Sequence, residues 1–252
     1  MGFYFSAITP FAAGGQPFQI YHLVKNSMEL GKASMIVAVK FLSSFTSAII
    51  LGLFAFSFLF EEIKEIKLIG PVILSGLFAT LVLYFIFLTF FLNRKWLERF
   101  FTLKIVNVPI AFILRKDTDT VKNSIKDKVK NYMDAFKTLW KFSKRVFFII
   151  FILSFIMMLL IQITGFLSLV SVLRNTHLNF FEVVGLQSAM NMIVYFLPTP
   201  GASGGIEGSF YLVYSGIVGR SKAAASLLIW RMATYYSIIV IGGILILKKI
   251  KK

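Results

Sequence analysis

A seven-residue pattern that stops helices, T-P-x-A-[A/S]-G-G, stands twice within otherwise apolar sequence. The copies are Thr9-Pro10-Phe11-Ala12-Ala13-Gly14-Gly15 and Thr199-Pro200-Gly201-Ala202-Ser203-Gly204-Gly205. Proline withholds a backbone donor and glycine uncovers backbone polar groups. In hydrocarbon no water compensates, so non-helical backbone survives only where protein or a water-filled cavity surrounds it. Two matching breaks in two parts of an apolar chain point to internal repeats that meet at a transport site.

That argument needs a bilayer, and the composition supplies one. The chain is 58% hydrophobic with a mean hydropathy of +0.81, above the roughly half apolar content of soluble domains. Four runs, 33–60, 68–92, 146–172 and 223–247, are long enough for spanning helices, which need about 20 residues. The expected fold is all-α: a polytopic membrane helix bundle with two re-entrant half-helix hairpins, at 1–24 and 180–218, in inverted-repeat arrangement within one membrane domain.

The net charge of +16 does not imply a nucleic-acid partner, because the basic residues sit at the ends of apolar runs and in one segment. Residues 93–145 hold 14 Lys or Arg against 5 acids, which assigns them to the cytoplasm by the positive-inside rule. The expected partners are membrane phospholipids with anionic headgroups. With no cysteine and only His22 and His177, no disulfide, metal site, cofactor or cysteine nucleophile is expected.

Following the spans from that cytoplasmic segment puts Glu61–Glu65, Arg174–Asn179 and Gly219–Lys222 outside and Lys25–Lys32 and Lys248–Lys252 inside. Residues 180–218 then begin and end on the outer face, and the first hairpin opens inward. Each heptapeptide reaches mid-membrane from the opposite side. Met1 leads into Phe3-Tyr4-Phe5-Ser6 with no basic n-region or cleavage site, so no cleavable signal peptide is expected. The break at Thr9-Pro10 comes too early for a full span before it, as in a short form or a fragment lacking upstream helices.

Within 93–145, Val121, Ile125, Val129, Tyr132, Met133, Phe136 and Leu139 recur at helical spacing with lysines opposite. Asp117, Thr118 or Asp119 is the expected cap. Such a basic amphipathic helix either lies on the inner leaflet or packs beneath the bundle. The run Ile105–Leu114, broken by Pro109, is too short to span and is expected in the interface.

The candidate lipid-binding and translocation residues are those of the two tips. In the second, Thr199, Pro200, Gly201, Gly204 and Gly205 end one half-helix, and Glu207 falls in the first turn of the next. A half-helix N-terminus offers free N–H groups to a phosphate or carboxylate; tight helix packing is the alternative use of such glycines. Ionisable groups in apolar helices are candidates by default, and Arg231 is the expected partner of Glu207. The first tip has Thr9, Pro10, Gly14, Gly15, Gln16 and Pro17, with an amide and a proline where the second has Ile206 and Glu207. Gln16, Gln19 and His22 are placed to share a polar face, Lys40 either snorkels or lines a cavity, and Glu182, Gln187 and Asn191 extend a polar path outward. No residue is assigned a catalytic role.

At these residues the chain resembles the lysylphosphatidylglycerol synthase transmembrane-region family. The carrying motifs are Thr9 to Phe18, Pro198 to Gly208 and Trp230-Arg231-Met232-Ala233-Thr234-Tyr235, and they span essentially the whole chain. The resemblance implies a bacterial or archaeal inner-membrane flippase that moves aminoacylated phosphatidylglycerol or lipid-linked sugars between leaflets. It also implies phosphatidylglycerol lysyltransferase activity, linked to resistance against cationic peptides. That transfer belongs to a soluble domain that this sequence does not contain, so the membrane module is expected to act with a separate synthetase or glycosyltransferase, or as a non-transporting scaffold.

Overall fold

The structure, a computed structural model, describes residues 1–60, 70–114, 117–142, 144–173, 178–194 and 197–250. Glu61–Glu65, the start of the second run at Leu68 and most of the Arg174–Asn179 connection lie outside them. The described residues form helices joined by short breaks, without a strand. The chain opens with α1 (Gly2–Ile8), a 3₁₀ turn (Pro10–Ala12) and α2 (Gly15–Lys25). The long α3 (Leu30–Phe58) and α4 (Gly70–Leu92) follow, then α5 (Arg94–Thr102), α6 (Lys104–Leu114) and α7 (Thr118–Phe142). The second half holds α8 (Lys144–Val172), α9 (Phe180–Val194), a second 3₁₀ turn (Pro200–Ala202) and α10 (Gly205–Val218). It closes with α11 (Arg220–Arg231), a π-helical turn (Met232–Tyr236) and α12 (Ser237–Ile250).

Among the described residues, three continuous helices are long and apolar enough to cross a bilayer: Leu30–Phe58, Lys144–Val172 and Arg220–Lys248, each of 29 residues. A fourth is counted if α4 and α5, bent by 98° at Asn93, form one span. At about 1.5 Å per residue, 29 residues exceed the ~30 Å hydrocarbon core. Half of the apolar window of α3 is buried, against 11% for α8, so α3 is the central post. It packs against α8, α9, α4 and α7. Outward, α8 presents Phe148, Leu153 and Leu160, all more than half exposed. A soluble surface rarely leaves such a patch open, whereas lipid tails cover it without cost.

The amphipathic stripe of α7 is buried at Val121, Val129 and Met133, and the helix packs on α3, α5 and α6. Its backbone at Asn131 comes so close that a Cβ on Gly31 would stand 3.1 Å from it. Of the two expectations for this helix, the described side chains therefore display packing beneath the bundle, with the lysines outward. Asp117 provides the cap, its carboxylate accepting from the Asp119 N–H at 3.0 Å and the Thr120 N–H at 3.4 Å. One boundary needs correction: Pro109 does not break Ile105–Leu114, which is helical within Lys104–Leu114. Pro109 is the sixth residue of that helix, so its missing N–H removes a single bond near the first turn, where carbonyls remain accessible to other donors.

Candidate functional site

The two heptapeptides fold into the same turn. Thr9 (φ −114°, ψ 145°) and Thr199 (φ −95°, ψ 148°) are extended, as a residue before proline must be. Phe11 (φ 53°, ψ 19°) then matches Gly201 (φ 61°, ψ 20°), and Ala12 matches Ala202, both at φ 54°. Each turn closes with paired backbone bonds, from Ala12 to Thr9 and Ala13 to Pro10 in the first, and from Ala202 to Thr199 and Ser203 to Pro200 in the second. Three of these left-handed positions carry side chains, each at a cost of about 1–2 kcal/mol. A repeated strained turn points to function rather than to accident.

After four residues the copies part. Ala13 stays helical (ψ −23°) while Ser203 is extended (ψ 141°), and Gly204 turns to φ 89° where Gly14 keeps φ −76°. In the first tip the Thr9 hydroxyl receives the Gly14 N–H at 2.9 Å and donates to the Phe5 carbonyl at 2.6 Å. In the second, the turned Gly204 N–H reaches Glu207 Oε2 at 2.7 Å. The N-terminus of α10 is thus occupied by the chain's own carboxylate, which also faces the positive end of the helix dipole.

The 3₁₀ turns pack against each other, at the middle of the last apolar helix. Tyr235, beside the midpoint of Arg220–Lys248, donates its hydroxyl to the Ala7 carbonyl at 3.4 Å. Farther toward Lys248, Gly242 leaves the room that the Tyr4 ring fills, since a Cβ there would stand 2.5 Å from it. The first unit therefore approaches from the Lys248 end, antiparallel to α12. The second joins α11 through Gly219 and packs along it, so it approaches from the Arg220 end.

At the junction Arg231, 6% exposed, donates from Nε to Glu207 Oε1 at 2.7 Å and from Nη2 to the Gly201 carbonyl at 3.2 Å. Its guanidinium lies 4.8 Å from the centre of the Tyr235 ring and 5.6 Å from that of Trp230. The π-helical turn directly after Arg231 shifts the register that brings Tyr235 to this place, and such turns recur at functional sites. Gly201 has no room for a side chain, because a Cβ would collide with the Tyr235 ring. Glu207, Arg231 and Gly201 thus come together as one ion-pair cluster, with Gly204 tied in through its N–H. Pro200 and Thr199 lie exposed at its edge, Thr199 donating to the Ser203 carbonyl at 2.8 Å. Gly205 begins α10 behind them, against Leu197.

Gln16 is elsewhere. It lines a cavity of about 170 Å³ with Ser6, Gln19, Lys40 and Ser44, while Pro17 is exposed and Gly15 is buried against Ser6. Lys40 donates to Gln19 Oε1 at 3.0 Å and lies 5.3 Å from the centre of the Phe3 ring. His22 is exposed. Gln187 is fully buried near the Tyr214 hydroxyl, and Asn191 donates to Gln162 Oε1 at 2.6 Å. Gln162 and the Gln19–Lys40 bond carry no sequence signal of their own. Tyr235 closes the motif that begins at Trp230, and its place four residues after Arg231 hints at a shared face.

Apolar spanning helices, outward hydrophobic faces and a charged cluster at mid-helix define a multi-pass α-helical membrane protein. The chain belongs to the lysylphosphatidylglycerol synthase transmembrane-region family, whose description is "Lysylphosphatidylglycerol synthase TM region" and whose model matches residues 1–242. No curated protein and no solved structure matches it. Membership places the chain in membrane lipid handling.

Proposed function

We propose that this is a flippase-type transporter of a bacterial or archaeal inner membrane, moving an anionic or aminoacylated phospholipid, or a lipid-linked sugar, between leaflets. One observation carries the reading: two helix–break–helix units of opposite approach meet at the middle of an apolar helix, around a buried ion pair. In a bilayer the two units are re-entrant hairpins, with residues 93–145 cytoplasmic by their charge. A headgroup then needs to cross only the short barrier where the tips touch, while its tails stay in lipid. Parting of the tips toward one face or the other gives alternating access. The Glu207–Arg231 pair keeps the second tip docked on α11 without leaving a net charge at that depth.

Leaflet transfer of fluorescent phosphatidylglycerol in reconstituted vesicles, read by quenching from outside, tests this. Wild type should transfer, and Glu207→Gln and Arg231→Met should insert normally but transfer at the rate of protein-free vesicles. Equal rates in wild type and both variants would remove the pair from the mechanism. A second reading, aminoacyl transfer to phosphatidylglycerol, draws on the family's description. Product formed from charged lysyl-tRNA and phosphatidylglycerol by the purified chain would favour it.

A further inference from the structure

Deep within the described apolar helices lie three charged groups: Lys40, Glu207 and Arg231. Two of them cancel. Arg231 is bonded to Glu207 and to the Gly201 carbonyl, and is flanked by two rings, so it has little left to offer a ligand. Lys40 is different. It sits ten residues into α3, roughly 15 Å along the axis, and no carboxylate pairs with it among the described residues. Its ammonium donates to Gln19 Oε1 at 3.0 Å, beside the Phe3 ring.

The space around it is open on both sides. The Lys40–Gln19 bridge and Val37 are shared by two cavities, of about 330 Å³ and 170 Å³. Gln16, Ser6 and Ser44 add hydrogen-bonding groups to the smaller one, which Met157 and Met158 also line. An intramembrane cation with one amide partner, flanked by cavities that carry further polar groups, lacks only a counter-anion.

We propose that Lys40 is the headgroup site: it binds the phosphodiester of a lipid with one net negative charge, and Gln16, Gln19, Ser6 and Ser44 supply hydrogen bonds around it. One such lipid balances the single charge left by the three deep groups. A zwitterionic or cationic headgroup, a lysyl ester of phosphatidylglycerol included, brings an ammonium of its own toward Lys40 and binds less well, which narrows the proposed cargo to its anionic members. The inference rests on the transporter reading for its purpose, but binding and transfer are measured separately.

The test uses the full chain in neutral detergent. Native mass spectrometry should show wild type retaining phosphatidylglycerol in preference to phosphatidylcholine. Lys40→Met, nearly the same length without the charge, should lose about tenfold of that preference, and Lys40→Arg should keep it. A preference unchanged in a folded Lys40→Met would overturn the assignment. Wild type alone provides a second arm that needs no variant: phosphatidylglycerol should raise the melting temperature, while phosphatidylcholine and inorganic phosphate should not. Equal stabilisation by phosphatidylcholine would overturn the charge argument, and equal stabilisation by inorganic phosphate would show a site for soluble phosphate instead. Loss of binding in Lys40→Met without transfer by wild type would remove the transporter reading alone. Transfer by wild type with binding intact in Lys40→Met would remove this inference alone.

Discussion

Arg231→Met strands a carboxylate. The wild-type arginine has a side chain 7% exposed, and Glu207 is 28% exposed. Substitution removes the donors at 2.7 Å to Glu207 and at 3.2 Å to the Gly201 carbonyl. What remains at Glu207 is the single Gly204 N–H at 2.7 Å. Breaking a buried pair from one side costs roughly 3–5 kcal/mol, and partial exposure of Glu207 lowers this to about 2–4. Glu207→Gln leaves the more buried cation with an amide oxygen, at about 2–3 kcal/mol. With both substitutions no charge is stranded, and the double variant should lie close to the milder single one. The predicted coupling is then about the cost of the larger single variant, roughly 2–4 kcal/mol, found by unfolding all four proteins in mixed micelles and following helicity by circular dichroism. Losses that add to within about 0.5 kcal/mol would refute the buried pair as the lock of the second tip.

The shared turn makes opposite predictions for its two copies. Gly201→Ala, at φ 61° and against the Tyr235 ring, should destabilise by at least about 1–2 kcal/mol in the same unfolding assay. Phe11→Gly, at φ 53° with the ring 59% exposed, should stabilise by up to about 1 kcal/mol, because glycine relieves the left-handed strain. In α7, burial holds the Tyr132 phenol above its ordinary value. Its contribution to stability is full below the unfolded value of about 10 and is lost as pH rises from there toward the folded value. Stability of wild type should therefore fall in alkaline solution more steeply than that of Tyr132→Phe, as melting temperatures across that range will show.

Much of this was legible in the chain because bilayer physics is coarse. Long apolar runs must be helices, and Leu30–Phe58, Lys144–Val172 and Arg220–Lys248 lie close to the apolar runs 33–60, 146–172 and 223–247. The pairing of Glu207 with Arg231 could be anticipated because each is costly alone in an apolar helix. Pro109 misleads because proline near a helix start costs little, which its sequence context does not reveal. The π-helical turn at Met232–Tyr236 is hidden as well, since it depends on how Tyr235 meets Gly201 and Ala7 across the chain. Gln19 and Lys40, far apart in sequence, meet only after α2 folds back along α3. The divergence of the tips after Ala12 and Ala202 likewise turns on Glu207 drawing Gly204 around, an interaction the heptapeptide does not contain.

The most direct measurement of tip movement exploits the absence of native cysteine. Ala12→Cys and Ser203→Cys, beside the two touching turns, can be joined by a short reagent that a reductant cleaves, and leaflet transfer followed before and after cleavage. Joined tips should stop transfer, and cleavage should restore it. Transfer that continues at the wild-type rate with the tips joined would contradict passage between them.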